Sequence, residues 1–588
     1  MAAAETSEPG HPLRAACLLA VLLTAHALSL IGRPVPFSVW APLAYVWQDV
    51  LVALLFFLVD ARLKWPRVAW TVYGVLVVYI ALNVPVTRVL STPLTWTILR
   101  AARGPLADAV LHYVTISNLV MLVVPISAGV LLPIVLARQR IGAGMPLVAI
   151  ALLIVAIGSF ATTRVETGGL HRNAIGALVS TGLTRLPVKA ETSDWRVSPF
   201  GPQGSGNDLT SLSGSLKGRN VVLVVLESTG ARHLGLYGSD PDPAPNLTAL
   251  AREAIVVDRA YSVYPESIKG LFATLCSRYP AFDTAPEIYA EVPCRSLPAV
   301  LSSSGYRTAL FHSGRFEYLG MRSVIEGRGF DVMEDAGAIG GRVDSSFGVD
   351  DESTVERMLR WIDSVGEAAP FFVTYLPTSG HNPYVTTVPG PFRSDQDFWR
   401  YMNAVHEGDA AFGTLVDGLG QRHLLESTLF VVFGDHGEAF GEHPGNFAHT
   451  LFIQEENVHV PLLIAAPGAI PRQTRLSRVA SVVDIAPTIL DLLGLPSQSA
   501  HQGASLLSPE SRMALFYTDY SIGWLGLADG CWKYLYDLDS RRSRLFDVCS
   551  DPEETRNRVD EHPARATAYR DRVLAWASAQ KALVQRRQ

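Results

Sequence analysis

Five long apolar runs within the first 165 residues constrain this chain of 588 residues more than any other feature. A helix needs roughly 20 residues to cross a hydrocarbon core about 30 Å thick, and each run approaches that length. One run alone could be a buried core helix, but five in succession predict a bundle of membrane helices. A cleaved signal peptide does not explain the first run, because four more follow it. The runs are Ala15–Ile31, Phe37–Val59, Val68–Val86, Ile116–Leu136 and Met145–Ala161.

The composition agrees with a chain of two unlike parts. Hydrophobic residues make up 48% of it and charged residues only 18%, against about 25% charged in a typical soluble protein. The 49 basic and 55 acidic residues are still too many for a protein that is all membrane. The hydrophobic content excludes disorder, and five cysteines exclude a small disulfide scaffold. A net charge of −6 gives no reason to expect a nucleic acid partner.

Short basic loops orient the predicted bundle, since lysine and arginine concentrate on the cytoplasmic side. They join the second run to the third and the fourth to the fifth, at Arg62, Lys64, Arg67, Arg138 and Arg140. We therefore expect a cytoplasmic N-terminus and an exported segment after the fifth run. Arg88, Arg100 and Arg103 lie on the opposite side. Acidic lipid bound by the amphipathic, interfacial stretch Thr92–Arg103 would explain the last two.

Composition predicts a transmembrane domain with five helices over 1–163, a linker rich in Gly, Ser and Pro over 164–217, and an exported domain over 218–588. In the exported domain, apolar β-branched runs alternate with helical patterns. This alternation predicts an α/β fold with a mostly parallel central sheet and helices on both faces. The predicted strands are Asn220–Leu226, Thr308–His312, Phe371–Leu376, Thr428–Phe433 and Leu462–Ala466, and the predicted helices are Asn246–Glu253, Ser296–Ser303, Glu352–Val365, Tyr401–Leu419 and Val483–Leu492.

Polar side chains follow three of these strands. Glu227 comes directly after the first strand, Asp435 and His436 follow the strand Thr428–Phe433, and His381 follows Phe371–Leu376. In open α/β sheets the functional residues lie at the carboxyl ends of the strands. Carboxylates combined with imidazole suit a divalent cation such as zinc or manganese. The sequence therefore predicts a metal site at this edge of the sheet.

Around these residues the chain resembles the alkaline phosphatase superfamily, and within it the sulfatase-like branch, over about Asn220 to Val559. The similarity rests on several segments jointly: Pro245–Ala251, Ser267–Pro280, Phe433–Glu438, His459–Leu463, Asp484–Leu493 and Lys533–Glu554. The resemblance implies an α/β alkaline-phosphatase-like catalytic domain, in which Ser267 begins the nucleophile helix and Asp435 and His436 form the second metal motif.

The nucleophile segment discriminates between branches of this superfamily. True sulfatases have Pro two positions and Arg four positions after the Cys or Ser that is oxidised to formylglycine, whereas Lys269 and Leu271 stand here. Sulfatases also offer two adjacent Asp where this chain has the single Glu227. Both departures resemble the membrane-bound lipoteichoic acid synthases, phosphoglycerol transferases and phosphoethanolamine transferases. Those proteins use an unmodified hydroxyl, usually Thr, and share five membrane helices followed by an exported catalytic domain. The resemblance therefore implies a bacterial-type inner or plasma membrane, with the catalytic domain on its periplasmic or extracellular side.

That resemblance implies that Ser267 is the nucleophile and that Glu227, Ser267, Asp435 and His436 bind one divalent metal ion. Zinc and manganese are the first choices, magnesium is the alternative, and a second metal ion stays open. Metal coordination would activate the weakly nucleophilic hydroxyl. Ser267 taken alone could be an ordinary helix N-cap, and both interpretations can hold together, because a helix N-terminus favours a nucleophile and phosphate. The implied substrate-binding residues are His381, His449, His312, Arg322 and Lys269, where Lys269 could equally be solvated; Glu438 and His443 are interpreted as loop residues.

The implied reaction moves a phospho-headgroup, phosphoglycerol or phosphoethanolamine, from a membrane phospholipid to an acceptor in the cell envelope. Ser267 would carry the group as a phosphoserine ester, and diacylglycerol would leave. The acceptor, a glycan or a lipid, stays open. An exported sulfatase or phosphodiesterase on the same fold is the alternative enzyme, and a metal-dependent sensor or adhesion domain is the non-enzymatic one.

Four of the five cysteines lie in the predicted exported domain. An even number in an oxidising compartment indicates disulfides. Proximity in the sequence favours Cys276–Cys294 and Cys531–Cys549, and four buried thiols are the alternative.

Overall fold

The computed structural model describes residues 11–33, 35–101, 113–137, 145–182, 186, 195–201, 207–343, 347–470 and 472–585. Within these ranges, five helices are long and apolar enough to cross a membrane, which confirms the five predicted runs. Each helix packs against at least one other of the five, so that together they form a bundle. Their bounds are His11–Leu30, Ala41–Asp60, Pro66–Leu90, Ile116–Leu136 and Met145–Thr162. Arg138, Arg140 and Arg103 of the orientation argument lie outside the described residues.

Buried polar contacts tie the helices together. At one end of the bundle, Arg14 donates to Asp60 over 2.9 Å. Toward the other end, Asp49 accepts hydrogen bonds from Asn173 and contacts His26 at 2.8 Å. Asn173 caps the short helix Ala174–Thr181, so the beginning of the predicted linker packs onto the bundle. Polar groups buried among apolar helices need such partners, because an unpaired one is costly.

The part of the chain after the bundle is organised around a sheet of nine described strands in the order β11-β2-β10-β6-β1-β5-β3-β4, with β9 paired to β2. The strands are β1 Asn220–Leu226, β2 Ala254–Tyr261, β3 Arg307–His312, β4 Val332–Glu334, β5 Phe371–Leu376, β6 Thr428–Gly434, β9 His459–Val460, β10 Leu462–Ala465 and β11 Thr474–Ser481. Most pairings are parallel, as predicted, and β10 is antiparallel to both neighbours. The strands β2, β4, β9 and β11 were not predicted from the sequence.

Helices cover both faces of this sheet. Alternate residues of β1 point to opposite faces: Val221, Leu223 and Val225 belong to one apolar core, and Val222 and Val224 to the other. This explains why the strand is a continuous apolar run. The helices around the sheet are Pro245–Leu250, Ser267–Cys276, Leu297–Ser303, Met321–Ile325, Ala336–Ile339, Asp351–Val365, Asp397–Gln421, Glu455–Val458 and Ile485–Leu492. A further helix, Pro563–Gln585, packs against the second sheet.

A second, antiparallel sheet completes this part of the chain. Its strands are β12 Ala514–Thr518, β13 Trp524–Asp529, β14 Trp532–Asp537 and β15 Ser543–Asp547, and the short strands β7 Ala439–Phe440 and β8 Phe447–Ala448 form a ribbon beside the site. Both predicted disulfides are present: Cys276 is bonded to Cys294 and Cys531 to Cys549.

Candidate active site

The pairing of β1 with β6 brings the predicted metal residues together. These strands are parallel and in register up to Leu226 and Gly434, so the residues that follow them, Glu227 and Asp435, emerge side by side. Glycines permit the tight turn after β6. A Cβ at Gly434 would lie 2.2 Å from the Thr229 carbonyl oxygen, and a Cβ at Gly437 would lie 2.1 Å from that of Glu456.

Three buried groups converge at this strand edge. The Nε2 atom of His436 lies 3.5 Å from Glu227 Oε1 and 3.5 Å from Asp435 Oδ2. Ser267 completes the group, because its hydroxyl donates to Glu227 Oε2 over 3.0 Å. The structure therefore assembles all four residues that the resemblance implied as metal ligands, from two strand ends and one helix.

The donor set fits a divalent cation. His436 Nδ1 contacts the Gly437 carbonyl at 3.1 Å, which fixes the tautomer and leaves a lone pair on Nε2. That Nε2 atom is buried and has no hydrogen-bond partner among the described residues. Two carboxylates buried beside it are unfavourable without a positive charge. Zinc and manganese both accept such a mixture of nitrogen and oxygen donors.

The surroundings shift the pKa values of the Glu227 and Asp435 carboxyl groups in opposite directions. Burial, and then the Glu227 carboxylate, raise the pKa of Asp435 well above its ordinary value. Burial opposes the ionisation of Glu227 as well, yet the neighbouring rings of His436, His381 and His449 bring its pKa down to about 2. Two neighbouring buried carboxyl groups do not both ionise readily unless a cation compensates their negative charges.

The helix Ser267–Cys276 presents the hydroxyl. Its N-cap is Glu266, whose carboxylate accepts the Ile268 N–H over 3.1 Å. The interpretation of Ser267 as an ordinary N-cap is therefore wrong: the preceding residue caps the helix, and the Ser267 hydroxyl is directed at Glu227 instead. Its position at the helix N-terminus also favours a negatively charged group beside it.

A second imidazole borders the predicted metal site. The ring centroid of His449 lies 4.3 Å from that of His436 and 6.1 Å from that of His381. Its Nδ1 contacts Glu438 Oε2 at 2.6 Å, and Glu438 also accepts a hydrogen bond from Tyr384. Burial raises the pKa of Glu438 to about 7. Glu438 does lie in the turn after β6, as interpreted, but it is fully buried there and orients His449.

The remaining predicted substrate residues have different surroundings. His312 is buried, and its Nδ1 contacts the Leu376 carbonyl at 3.0 Å. Arg322 is half exposed and forms an ion pair with the exposed Glu317 at 2.8 Å. His443, interpreted as a loop residue, contacts the buried Glu456 at 2.7 Å. None of the described contacts of these three joins them to Ser267.

Lys269 has a partner that the sequence did not indicate. Its ammonium is buried and donates to both carboxylate oxygens of Asp519, at 2.9 and 3.0 Å, so it is not solvated. The ring of Tyr264 lies 4.3 Å from the same nitrogen. Asp519 and Glu438 are thus functional-site neighbours that sequence reasoning missed. Glu438 lies three residues after Asp435 in the same turn, which was the available signal, whereas Asp519 is 250 residues from Lys269.

The helical bundle contacts the loops of this site. The Tyr113 hydroxyl, three residues before the helix Ile116–Leu136, donates to Asn382 Oδ1 over 3.0 Å, and Asn382 is adjacent to His381. Thr95 donates to the Tyr520 carbonyl over 3.1 Å, next to Asp519. The two parts of the chain therefore meet beside the metal residues.

Comparison with known proteins agrees with this geometry. Residues 219–495 match the family model described as Sulfatase, and residues 441–571 match N-sulphoglucosamine sulphohydrolase, C-terminal. Arylsulfatase K of Homo sapiens is 31% identical over 237 residues, covering 35% of this chain and 43% of that protein. Lipoteichoic acid synthase 2 of Bacillus subtilis is 24% identical over 319 residues, covering 51% of this chain and 48% of that protein. The chain spans less than half the length of either relative.

Two solved structures share the fold. A protein in the alkaline phosphatase superfamily from Vibrio parahaemolyticus has a TM-score of 0.53 at 22% identity, covering 65% of this chain and 90% of that one. A structure in complex with its substrate D-glucosamine-2-N,6-O-disulfate has a TM-score of 0.51 at 17% identity, covering 63% and 99%. Residues 219–495 of this chain are therefore a sulfatase-family domain with the fold of the alkaline phosphatase superfamily.

Proposed function

We propose that this chain is a membrane-bound, metal-dependent phosphotransferase. It takes the phospho-headgroup of a glycerophospholipid and passes it to a hydroxyl-bearing acceptor of the cell envelope. The proposal places the five helices in the membrane and the catalytic domain on its periplasmic or extracellular side. The hydrogen bond from Tyr113 to Asn382 carries the proposal, because it ties the loop of His381 to the end of an apolar helix. A site at that position adjoins the headgroups of a bilayer.

Ser267 provides the nucleophile in the first half-reaction. A bond forms between its Oγ and the phosphorus while the bond from phosphorus to the diacylglycerol oxygen breaks. Glu227 Oε2 accepts the hydrogen bond of the hydroxyl and is the nearest base for its proton. His381, whose ring lies beside that of His449, supplies a proton to the departing oxygen. In the second half-reaction the oxygen of an acceptor hydroxyl bonds to the phosphorus while the bond from phosphorus to Ser267 Oγ breaks. The proton of the acceptor hydroxyl passes to His381, and Glu227 returns its proton to Ser267.

The metal residues have a separate task. Glu227, Ser267, Asp435 and His436 would hold a divalent ion, which supplies a positive charge that favours the ionised hydroxyl and the phosphate oxygens. The chain itself keeps these groups in place: Ser228 donates its hydroxyl to Glu227 Oε1 over 2.9 Å and its N–H to Asp435 Oδ1 over 3.0 Å. Both carboxylates are thereby oriented before any ligand binds.

Hydrolysis of a sulfate ester or phosphodiester is the second candidate function. The match of residues 441–571 to the sulphohydrolase model and the similarity to arylsulfatase K favour it. The nucleophile segment argues against a sulfatase, because Lys269 and Leu271 replace the Pro and Arg of that branch. The Lys269 ammonium moreover donates to Asp519, so it is not directed at a substrate sulfate.

Headgroup release distinguishes the candidates. The full chain in mixed micelles is given phosphatidylglycerol or phosphatidylethanolamine with a labelled headgroup, and in parallel an aryl sulfate. We expect diacylglycerol release, and a mass increase by the phospho-headgroup on the peptide that contains Ser267. Ser267→Ala should abolish both signals. Thr274→Ala, which removes a buried hydroxyl from the same helix, is the matched control and should retain them. Undiminished diacylglycerol release by Ser267→Ala, or turnover of the aryl sulfate alone, would overturn the proposal.

A further inference from the structure

Two arginines meet at one end of the helical bundle. Arg33 follows the helix His11–Leu30, and Arg88 lies in the last turn of Pro66–Leu90. Arg88 Nη1 donates to the Ile31 carbonyl over 3.1 Å, and Arg33 Nη2 donates to the Arg88 carbonyl over 2.7 Å. Neither guanidinium has a carboxylate partner among the described residues. Arg88 is also the residue that the orientation argument left unexplained.

No carboxylate among the described residues balances the positive charge of this pair. Burial, and then the like charge of Arg88, lower the pKa of Arg33. Backbone carbonyls satisfy only a few of the ten N–H donors that two guanidinium groups offer. A phosphate would remove the repulsion and accept several of the remaining donors, since guanidinium matches phosphate oxygens in a bidentate manner.

The surroundings of the pair are apolar and exposed. The segment that carries Arg33 leaves large side chains uncovered: Ile31 is 53% exposed, Val35 44%, Phe37 109% and Val39 88%. An exposed apolar patch of this kind marks a surface that meets another apolar partner. A free phosphate ion would not cover this apolar patch, whereas the acyl chains of a lipid would.

The pair also borders the catalytic domain. The Arg33 guanidinium lies 5.3 Å from the ring centroid of Phe447, which is 44% exposed. Phe447 belongs to β8 and precedes His449 by two residues, and its strand is held in register by pairing with Phe440. A group bound at the two arginines is therefore adjacent to the short strand that His449 directly follows.

We propose that Arg33 and Arg88 form a binding site for the phosphate of a glycerophospholipid, with its acyl chains against the exposed apolar segment around Phe37. The use of this site to load a donor for Ser267 rests on the proposed function, but the binding itself does not. A purely structural role is the competing explanation, because both arginines donate to carbonyls at helix C-termini. Arg62 offers a matched comparison, since it donates to the Leu58 carbonyl over 3.2 Å near the end of its own helix.

Binding is measured on the full chain in detergent, with Ser267→Ala in every variant so that no turnover occurs. The probe is phosphatidylglycerol with a fluorescent acyl chain, followed by anisotropy, and inorganic phosphate is the competitor. We expect the change Arg33→Gln with Arg88→Gln to weaken lipid binding by about tenfold or more, as for loss of charge-assisted hydrogen bonds. Arg62→Gln should stay within about twofold of the parent, as is usual for an exposed charge.

A second variant keeps the test decisive if the double change unfolds the bundle. Phe447→Glu alters an exposed side chain and puts a carboxylate beside Arg33, so it should compete with the phosphate and weaken lipid binding by about threefold or more. Unchanged binding in both variants, or an equal loss in Arg62→Gln, would overturn the proposal. Displacement of the lipid by an equal concentration of inorganic phosphate would identify a simple anion site and overturn the assignment to lipid. Absence of headgroup transfer in the parent chain would leave this binding result intact, so the two proposals fail separately.

Discussion

Replacing Lys269 with Met tests the buried ion pair beside the nucleophile. Lys269 and Asp519 are 4% and 5% exposed, and Lys269 lies two residues after Ser267 on the same helix. The substitution preserves most of the apolar stem and removes the ammonium. It leaves the Asp519 carboxylate buried, with the Tyr264 hydroxyl at 2.8 Å and the Asp283 N–H at 2.6 Å as remaining donors.

The expected magnitude follows from that environment. Removing one partner of a buried ion pair lowers the free energy of unfolding by about 3–5 kcal/mol. Because two donors to Asp519 remain, we expect the lower end, about 3 kcal/mol. If Lys269 were solvated, the same change would alter the free energy of unfolding by about 0.5 kcal/mol or less. The two interpretations therefore differ about sixfold in the measured quantity.

Thermal unfolding of the full chain in detergent provides the assay, with intrinsic fluorescence as the signal. A loss of about 3 kcal/mol corresponds to a fall in Tm of roughly 5 °C for a large domain. Arg322→Met removes an exposed ion pair and should shift stability by less than about 1 kcal/mol. Adding Asp519→Asn to Lys269→Met should restore roughly half of the loss, because the buried negative charge is removed together with the ammonium that balances it. A Lys269→Met variant no less stable than Arg322→Met would refute the reasoning.

Three further predictions concern the metal, the disulfide and the contact between domains. His436→Ala should abolish binding of zinc or manganese measured by elemental analysis, whereas His312→Ala should retain it; equal metal content in both would contradict the assigned ligands. Cys531→Ser opens a disulfide with a sequence separation of 18, and should destabilise the chain by about 3 kcal/mol in denaturant unfolding; the parent under a reducing agent, which opens Cys276–Cys294 as well, should lose at least as much. Tyr113→Phe removes one hydrogen bond to Asn382 and should weaken contact with the loop by about 1 kcal/mol, which would appear as faster amide hydrogen exchange there.

The locally encoded features of this chain were readable from its sequence. Apolar runs of nearly 20 residues predict spanning helices because helix length and hydrophobicity are properties of a continuous segment. Strand β1 was evident for a similar reason, since a strand covered on both faces must be apolar throughout. Glu227, Asp435 and His436 could be placed at one sheet edge because each directly follows a predicted strand, and their convergence is what the structure shows.

Tertiary structure alone decided which side chains those residues meet. The N-cap is the residue before Ser267, because tertiary packing, and not helix propensity, decides the path of the backbone between β2 and this helix. Lys269 binds a carboxylate 250 residues away, and Glu438 is buried against His449. Arg33 and Arg88 are brought together by the packing of two helices. Such contacts depend on strand order and helix packing, which sum many weak terms over the whole chain. The sequence by itself thus determined the segments and the chemical type of the site, and the fold determined its orientation, its charge balance and its position against the bundle.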